Sequence, residues 1–411
     1  MSIEPSPNAR VLSIDAGVGP ADRLAAYLPP EEMAAARAAA DVAIVAVDAT
    51  GPHVAHLAAT LRAHGAYARA DDVRLVASGT RAAFAAAATG SGDVAAAMLG
   101  REVLRAFDAD RTRPASIRLR SHALDFSQRA RVMGILNVTP DSFYDRGAFS
   151  GVDRARERAH AMVALGADVI DIGGQSYAHW NPRIAAEEER DRVVPVVEAL
   201  VRDGIGVPLS IDTFKASVAE AALAAGADLI NDCSGLSDPK LARVVARYDA
   251  GLVVMHLRGE LNVRAAAYPY DDAMAEILAF LRERLDAARA DGVAEDALIV
   301  DPGLEFGKEP ATDLEILERF GDLRSLGVPI LFAASRKSFI GRVFDQPAKK
   351  LLVPSLATAA IGIAAGAGLV RVHDVEETTQ LARMMGAVRP AVRTRLAIAT
   401  AMPGTPAANF S

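Results

Sequence analysis

The residues best suited to chemistry in this 411-residue chain stand at the ends of short apolar runs. In order they are Asn137; Asp171 ahead of Gly173-Gly174; Asp212; Asn231-Asp232; Met255-His256; Asp301; Ser335-Arg336-Lys337-Ser338; and Arg371 with His373-Asp374. One Asp or Asn in such a place is an ordinary turn former. Eight in register make a polar mouth on an apolar scaffold. Asp212, Asn231 and Asp301 offer acceptors to a ligand rich in N–H donors, such as the guanidine-like edge of a fused heterocycle. Met255 presents a polarizable surface on which a flat ring can lie. Lys337 can donate to a ring carbonyl, and Arg371 can stack on a ring or fork onto an anion. Ser338, Arg371 and His373, with a helix start expected after Ser335-Arg336-Lys337, make a cationic subsite suited to phosphate. Asn137, with Asp141 or Asp145 nearby, supplies oxygen for Mg²⁺, an ion that keeps several waters when it bridges a pyrophosphate.

Plainer roles compete with these. Asp301 before Pro302-Gly303 fits a turn, His256 with apolar neighbours fits a satisfied core histidine better than a ligand, and Arg336 fits a structural ion pair. No His/Cys cluster supports zinc. Cys233 is the only cysteine, which excludes an internal disulfide and fits a small buried residue in a reducing compartment.

The elements that must position these groups alternate. Strands are expected at 131–137, 168–171, 207–212, 228–231, 251–256, 298–301, 328–333 and 368–372, separated by helical patterns such as 152–165, 185–202 and 270–290. Eight strand-helix units over this length match a (β/α)8 TIM barrel, an α/β architecture, with a doubly wound open sheet as the alternative. The runs 116–119 and 123–126 alternate across Ser121-His122 and predict a hairpin plugging the bottom of the barrel. Residues 1–112 read as a small N-terminal α/β unit with strands near 10–15, 41–47 and 73–77 and Ala-rich helices such as 54–64 and 94–107. A linker is expected at 108–114, followed by the barrel unit at 113–411. The scattered Asp15, Asp48 and His53 read as loop ends, and this unit shows no catalytic constellation.

Acidic residues outnumber basic ones, 52 to 45, which argues against a nucleic-acid partner. The uncharged run 351–370 has the length of a membrane span, but its Pro, Thr and three glycines predict a buried helix and then a short strand. With no apolar leader at 1–10, a cytoplasmic protein with small-molecule substrates is expected.

Taken together, the segments identify a resemblance. Met-Gly-Ile-Leu-Asn-Val-Thr-Pro-Asp-Ser-Phe (133–143), Asp-Ile-Gly-Gly (171–174), Ser-Ile-Asp-Thr (210–213), Ile-Asn-Asp (230–232), Val-Met-His (254–256), Asp-Pro-Gly (301–303) with Phe306-Gly307-Lys308, Ser-Arg-Lys-Ser (335–338) and Arg-Val-His-Asp-Val (371–375) resemble the dihydropteroate synthase family. That resemblance implies condensation of 6-hydroxymethyl-7,8-dihydropterin diphosphate with p-aminobenzoate on a (β/α)8 barrel, by a dissociative route, in a homodimer. By position it implies that Asp212, Asn231, Met255, Asp301, Phe306, Lys337 and Arg371 meet the pterin, with Asp212, Lys337 and Arg371 catalytic. It places Asn137, Asp145, Ser338, Arg371 and His373 on the diphosphate, and Mg²⁺ on Asn137. Phe143, Ser176, Tyr177 and Arg183 would belong to the acceptor loops. The second loop departs from the family: Gln175-Ser176-Tyr177-Ala178-His179-Trp180 stands where Glu-Ser-Thr-Arg-Pro-Gly is usual, and Arg183 or Arg146 is the expected replacement for the loop arginine. A pterin-dependent methyltransferase, or a pterin-binding paralogue with another acceptor or no turnover, remain the alternatives.

Overall fold

The computed structural model describes residues 8–12, 43–49, 52–71, 74–90, 92–112, 114–139, 148–176, 183–261 and 268–388. The first sheet is antiparallel, built from β1 (Asn8–Leu12), β2 (Ala43–Asp48), β3 (Tyr67–Ala70) and β4 (Arg74–Gly79) in the order β1-β2-β4-β3. Helices Pro52–Ala63, Arg81–Gly90 and Val94–Arg111 pack on it. Their core includes Val45, Leu57, Leu61, Leu75, Phe84 and Phe107, with the two phenyl rings edge to face at 5.3 Å. β3 escapes sequence reading because Tyr-Ala-Arg-Ala carries almost no apolar alternation. The segment expected as a linker is helical through Arg111: Asp93 caps the helix by accepting from the N–H groups of Ala95 and Ala96, and the Thr112 N–H closes it on the Asp108 carbonyl. That helix faces the barrel, where Asp110 meets Arg324 at 2.6 Å. Arg282 also donates to the Ala9 carbonyl at 2.9 Å.

The barrel strands follow a hairpin of β5 (Ser116–Arg118) and β6 (Ala123–Asp125). They are β7 (Arg131–Asn137), β8 (Val169–Gly173), β9 (Leu209–Asp212), β10 (Leu229–Asp232), β11 (Gly251–Met255), β12 (Leu298–Asp301), β13 (Leu331–Phe332) and β14 (Leu369–Val372). All pairs are parallel, β14 joins β7, and a bridge between Val300 and Ile330 closes the ring. This closure selects the barrel over the open sheet. β13 is shorter than expected because Pro329 has no N–H to donate; only its carbonyl takes part, accepting from Val300 at 3.0 Å.

Hairpin residues Ile117, Leu119, Leu124 and Phe126 share one buried cluster with Met133, Val169, Leu229, Val253, Ile299, Leu331 and Leu369. Each of these seven comes from a barrel strand, so the hairpin stoppers the N-terminal end. Beneath it Asp168 binds Arg129 at 2.7 Å and Arg131 at 3.0 Å. The uncharged run 351–370 forms the helix Leu352–Ala365 and leads into β14. Gly362 lets that helix approach the sheet, since a Cβ there would stand 2.7 Å from the Phe332 ring. Among the described residues no helix is long and apolar enough to cross a membrane.

Candidate active site

The strand register brings the polar ends together. Asp171 lies opposite Ser210, and Asn231 opposite Asp212, on neighbouring parallel strands. From β14, Arg371 Nε donates to Asp171 Oδ2 at 2.6 Å and Nη2 donates to Asp212 Oδ2 at 2.7 Å. Fully buried Asp171 also accepts from Ser210 Oγ at 2.6 Å and from Asn231 Nδ2 at 3.2 Å. Burial pushes the Asp212 carboxyl up to about 7; Arg371 opposes this, while Asp171 and Glu189 add to it. Burial also disfavours the Arg371 charge, yet Asp171 and Asp212 more than offset that and its pKa ends raised. Asp301, also buried, is raised by desolvation against the pull of Lys337. The floor is therefore crowded with carboxylate oxygen and held by one guanidinium, an arrangement that favours a ligand edge bearing N–H donors.

One wall is the loop after β12. Gly303 (φ +68) and Gly307 (φ +66) take left-handed backbone where a Cβ would stand 2.0 Å from the His256 carbonyl oxygen and 2.2 Å from that of Arg258. Lys308 clamps the loop, its Nζ donating to the Gly303 carbonyl at 2.7 Å and the Phe306 carbonyl at 3.0 Å, and lying 3.0 Å from His256 Nδ1. Desolvation lowers Lys308 to about 7. Burial and then the Lys308 charge hold His256 well below its usual value, and its ring packs edge to face on Phe280 at 4.9 Å. His256 is thus a core histidine that supports the loop. Met255 is buried beside Cys233 and Leu261, with Phe306 against them.

Opposite, Lys337 Nζ donates to the Leu304 carbonyl at 2.5 Å and lies 4.8 Å from the centre of the Phe306 ring. Arg336 forks onto Asp374 at 2.8 and 2.7 Å, a structural pair. Exposed Ser338 opens the helix Ser338–Phe344, and its N–H is held by Glu305 Oε1 at 2.8 Å. His373 stands at the exposed rim, its N–H donating to Ser335 Oγ at 3.2 Å. Lys337, Ser338, Arg371, His373, Arg336 and Glu305 border one cavity of about 750 Å³.

Asn137 ends β7 at the exposed mouth, with Oδ1 3.3 Å from where a Cβ on Gly173 would stand. Among the described residues no three His, Cys, Asp or Glu side chains cluster as metal ligands. A lone amide oxygen fits a cation such as Mg²⁺ that completes its shell with water and diphosphate, and does not fit a protein-only cage. Asp141, Phe143, Asp145, Arg146 and Tyr177 lie outside the described residues. Half-buried Ser176 begins the second loop. Arg183 is not brought to the cationic wall: it donates to the Leu261 carbonyl at 2.9 Å and lies 3.5 Å from Glu260.

Sequence reading missed three contributors. Asp171 was noted at a strand end but not as the hub of the Arg371 network. Glu305 was hidden by its charge, which is wrong for an anion site. The third is buried Glu189, which meets Lys215 Nζ at 2.6 Å, where Gln175 Oε1 also accepts at 2.8 Å. A sequence signal existed for this last group, since Gln175 stands where the resemblance calls for Glu.

Residues 133–373 match the family described as pterin binding enzyme. The chain is 41% identical over 273 residues to the dihydropteroate synthase of Bacillus subtilis, covering 66% of this chain and 93% of that protein. Its structure is similar to Xanthomonas albilineans dihydropteroate synthase with 4-aminobenzoic acid, at 38% identity and a TM-score of 0.61, covering 70% of this chain and 99% of the other. The same enzyme in complex with 7,8-dihydropteroate matches at 36% identity and a TM-score of 0.58, over 70% and 100% of the two chains.

Proposed function

The chain belongs to the dihydropteroate synthase family, and from that membership we infer that it condenses 6-hydroxymethyl-7,8-dihydropterin diphosphate with p-aminobenzoate, giving 7,8-dihydropteroate and pyrophosphate. The observation that carries the reading at the level of residues is the Arg371 guanidinium tied to Asp171 and Asp212 beside a cavity walled by Lys337, Ser338 and His373. Asp212, Asn231 and Asp301 accept from the donor edge of the pterin, Lys337 donates to its ring carbonyl, and Met255, Phe306 and Arg371 bracket its faces.

In the chemical step the bond between the pterin methylene carbon and the diphosphate oxygen breaks, and its electron pair leaves with the diphosphate. Asp212 stabilises the delocalised cation left on the pterin, while Ser338, Arg371 and His373 hold the departing anion. The arylamine nitrogen then attacks the methylene carbon and loses a proton. Asn137 would hold Mg²⁺, which when bound neutralises part of the diphosphate charge. No protein nucleophile is needed.

A homodimer is proposed with this activity. Val343, Phe344, Val353, Met384 and Val388 are each more than half exposed on the helices Ser338–Phe344, Leu352–Ala365 and Val375–Ala387 or at their ends, apolar surface of the kind that subunits cover. Buried Cys233 suits a cytoplasmic setting. The test is a product assay with the pterin diphosphate and p-aminobenzoate: equimolar pyrophosphate and dihydropteroate are expected. Binding of the pterin diphosphate without product, or methyl transfer to a corrinoid protein instead, would overturn the reading.

A further inference from the structure

The cavity beside the cationic wall already contains a carboxylate. Half-buried Glu305 borders it and accepts the Ser338 N–H at 2.8 Å. Glu305 has a φ of +72, a left-handed conformation that an L side chain rarely adopts. The surrounding contacts hold it there. Its own N–H donates to buried Asp313 at 2.7 Å. The carbonyl before it, on Leu304, takes Lys337, and the one after it, on Phe306, takes Lys308. A backbone pinned on both sides in a disfavoured conformation fixes where this carboxylate reaches, and it reaches the donor that an incoming phosphate oxygen would use.

We propose that Glu305 is an internal anion that occupies part of the diphosphate subsite, must be displaced by the substrate's diphosphate, and thereby sets how loosely the site holds pyrophosphate. The inference rests on the reading that this cavity takes the diphosphate. The Ser338 N–H serves one strong acceptor at a time. A phosphate oxygen placed on it lies against the Glu305 carboxylate, so the two negative groups repel unless the side chain swings away. The Glu305 side chain has rotatable bonds that allow this, while its clamped backbone returns it once the anion has gone. The carboxylate is then a competitor at a concentration no free anion matches, and product pyrophosphate leaves more readily than the cationic wall alone would allow.

The test titrates inorganic pyrophosphate with Mg²⁺ into the full-length wild type, E305Q and E305G by calorimetry, with thermal melts to establish folding. E305Q keeps an acceptor for the Ser338 N–H but removes the charge; E305G removes both and suits the positive φ, so it keeps the test readable if E305Q folds poorly. Both variants are expected to bind pyrophosphate more tightly, E305G by about tenfold, the scale of one charge-assisted hydrogen bond. Product inhibition by pyrophosphate should strengthen in parallel. A folded E305Q or E305G with affinity equal to or weaker than wild type overturns the proposal alone. A wild type that binds no pyrophosphate overturns the diphosphate reading as well.

Discussion

Arg371 and Asp212 meet across the barrel mouth, Nη2 to Oδ2 at 2.7 Å, although one lies on the last barrel strand and the other on the third. The pair fixes the guanidinium plane before any ligand arrives. Lys cannot span Asp171 and Asp212 as Arg does, because an ammonium is a point charge without the planar fork. Arg371→Lys is expected to lower kcat/KM for the pterin diphosphate by about 100-fold, the order of a lost partner in a buried charge network. A value within a few fold of wild type in steady-state kinetics would show that charge alone suffices.

Protonation of Asp212 should be visible in the pH profile. Its folded pKa, raised by burial to about 7, means that the free enzyme carries the proton below that pH and the carboxylate above it. In the proposed mechanism the carboxylate is the working form, so kcat/KM should rise with pH through about 7 and level off. Glu189 is among the charges that raise Asp212. Glu189→Gln should therefore move this limb to lower pH, and an unmoved limb would assign it to another group.

Lys308 ties stability to pH in a defined direction. Its folded pKa lies near 7, below the ordinary 10.5, because burial disfavours the ammonium. Between those two values the unfolded chain holds the proton and the folded chain does not, so this group's contribution to stability rises with pH across that window and is flat below it. Lys308→Met removes the clamp on two carbonyls and His256, at a cost of about 2–3 kcal/mol near neutral pH. Denaturant unfolding at several pH values should find the wild-type advantage growing from pH 7 towards 10; a constant difference would contradict the assignment.

Arg183 lies well exposed and is spent on Glu260 and the Leu261 carbonyl. Exposed pairs contribute roughly 0–1 kcal/mol. Arg183→Ala should change pyrophosphate affinity by no more than about twofold, within the lower half of that range. A loss of tenfold or more would mean that the arginine turns to the diphosphate during turnover, in the role the sequence reading gave it.

The barrel was legible because its strands are β-branched runs that end in polar residues, a pattern that survives reading one residue at a time. β12 falls at 298–301 as expected. β13 shrinks to Leu331–Phe332 because the proline beside it cannot complete a ladder. Asp212 in the floor and Lys337 in the wall were legible because each side chain's own chemistry suggests a ligand. What stayed hidden depends on neighbours far away in the chain. Asp171 becomes a hub only once Arg371, 200 residues on, reaches it. Glu305 reads as an exposed loop acid until its φ and its bond to Ser338 are known. The end of the N-terminal helix was obscured by its charged last turn, which looked like a linker and in fact carries Asp110 to Arg324.

The hairpin that stoppers the barrel imposes a traffic rule. With Leu119 and Phe126 filling the N-terminal end, ligands have the C-terminal mouth as their doorway, and the floor is the farthest point from it. On the proposed reading the pterin takes the floor, so it would enter before the arylamine and leave after the pyrophosphate, an order of loading and unloading that a dead-end vessel imposes. The N-terminal unit joins the chain just ahead of the stopper, and its last helix meets the barrel through Asp110 and Arg324.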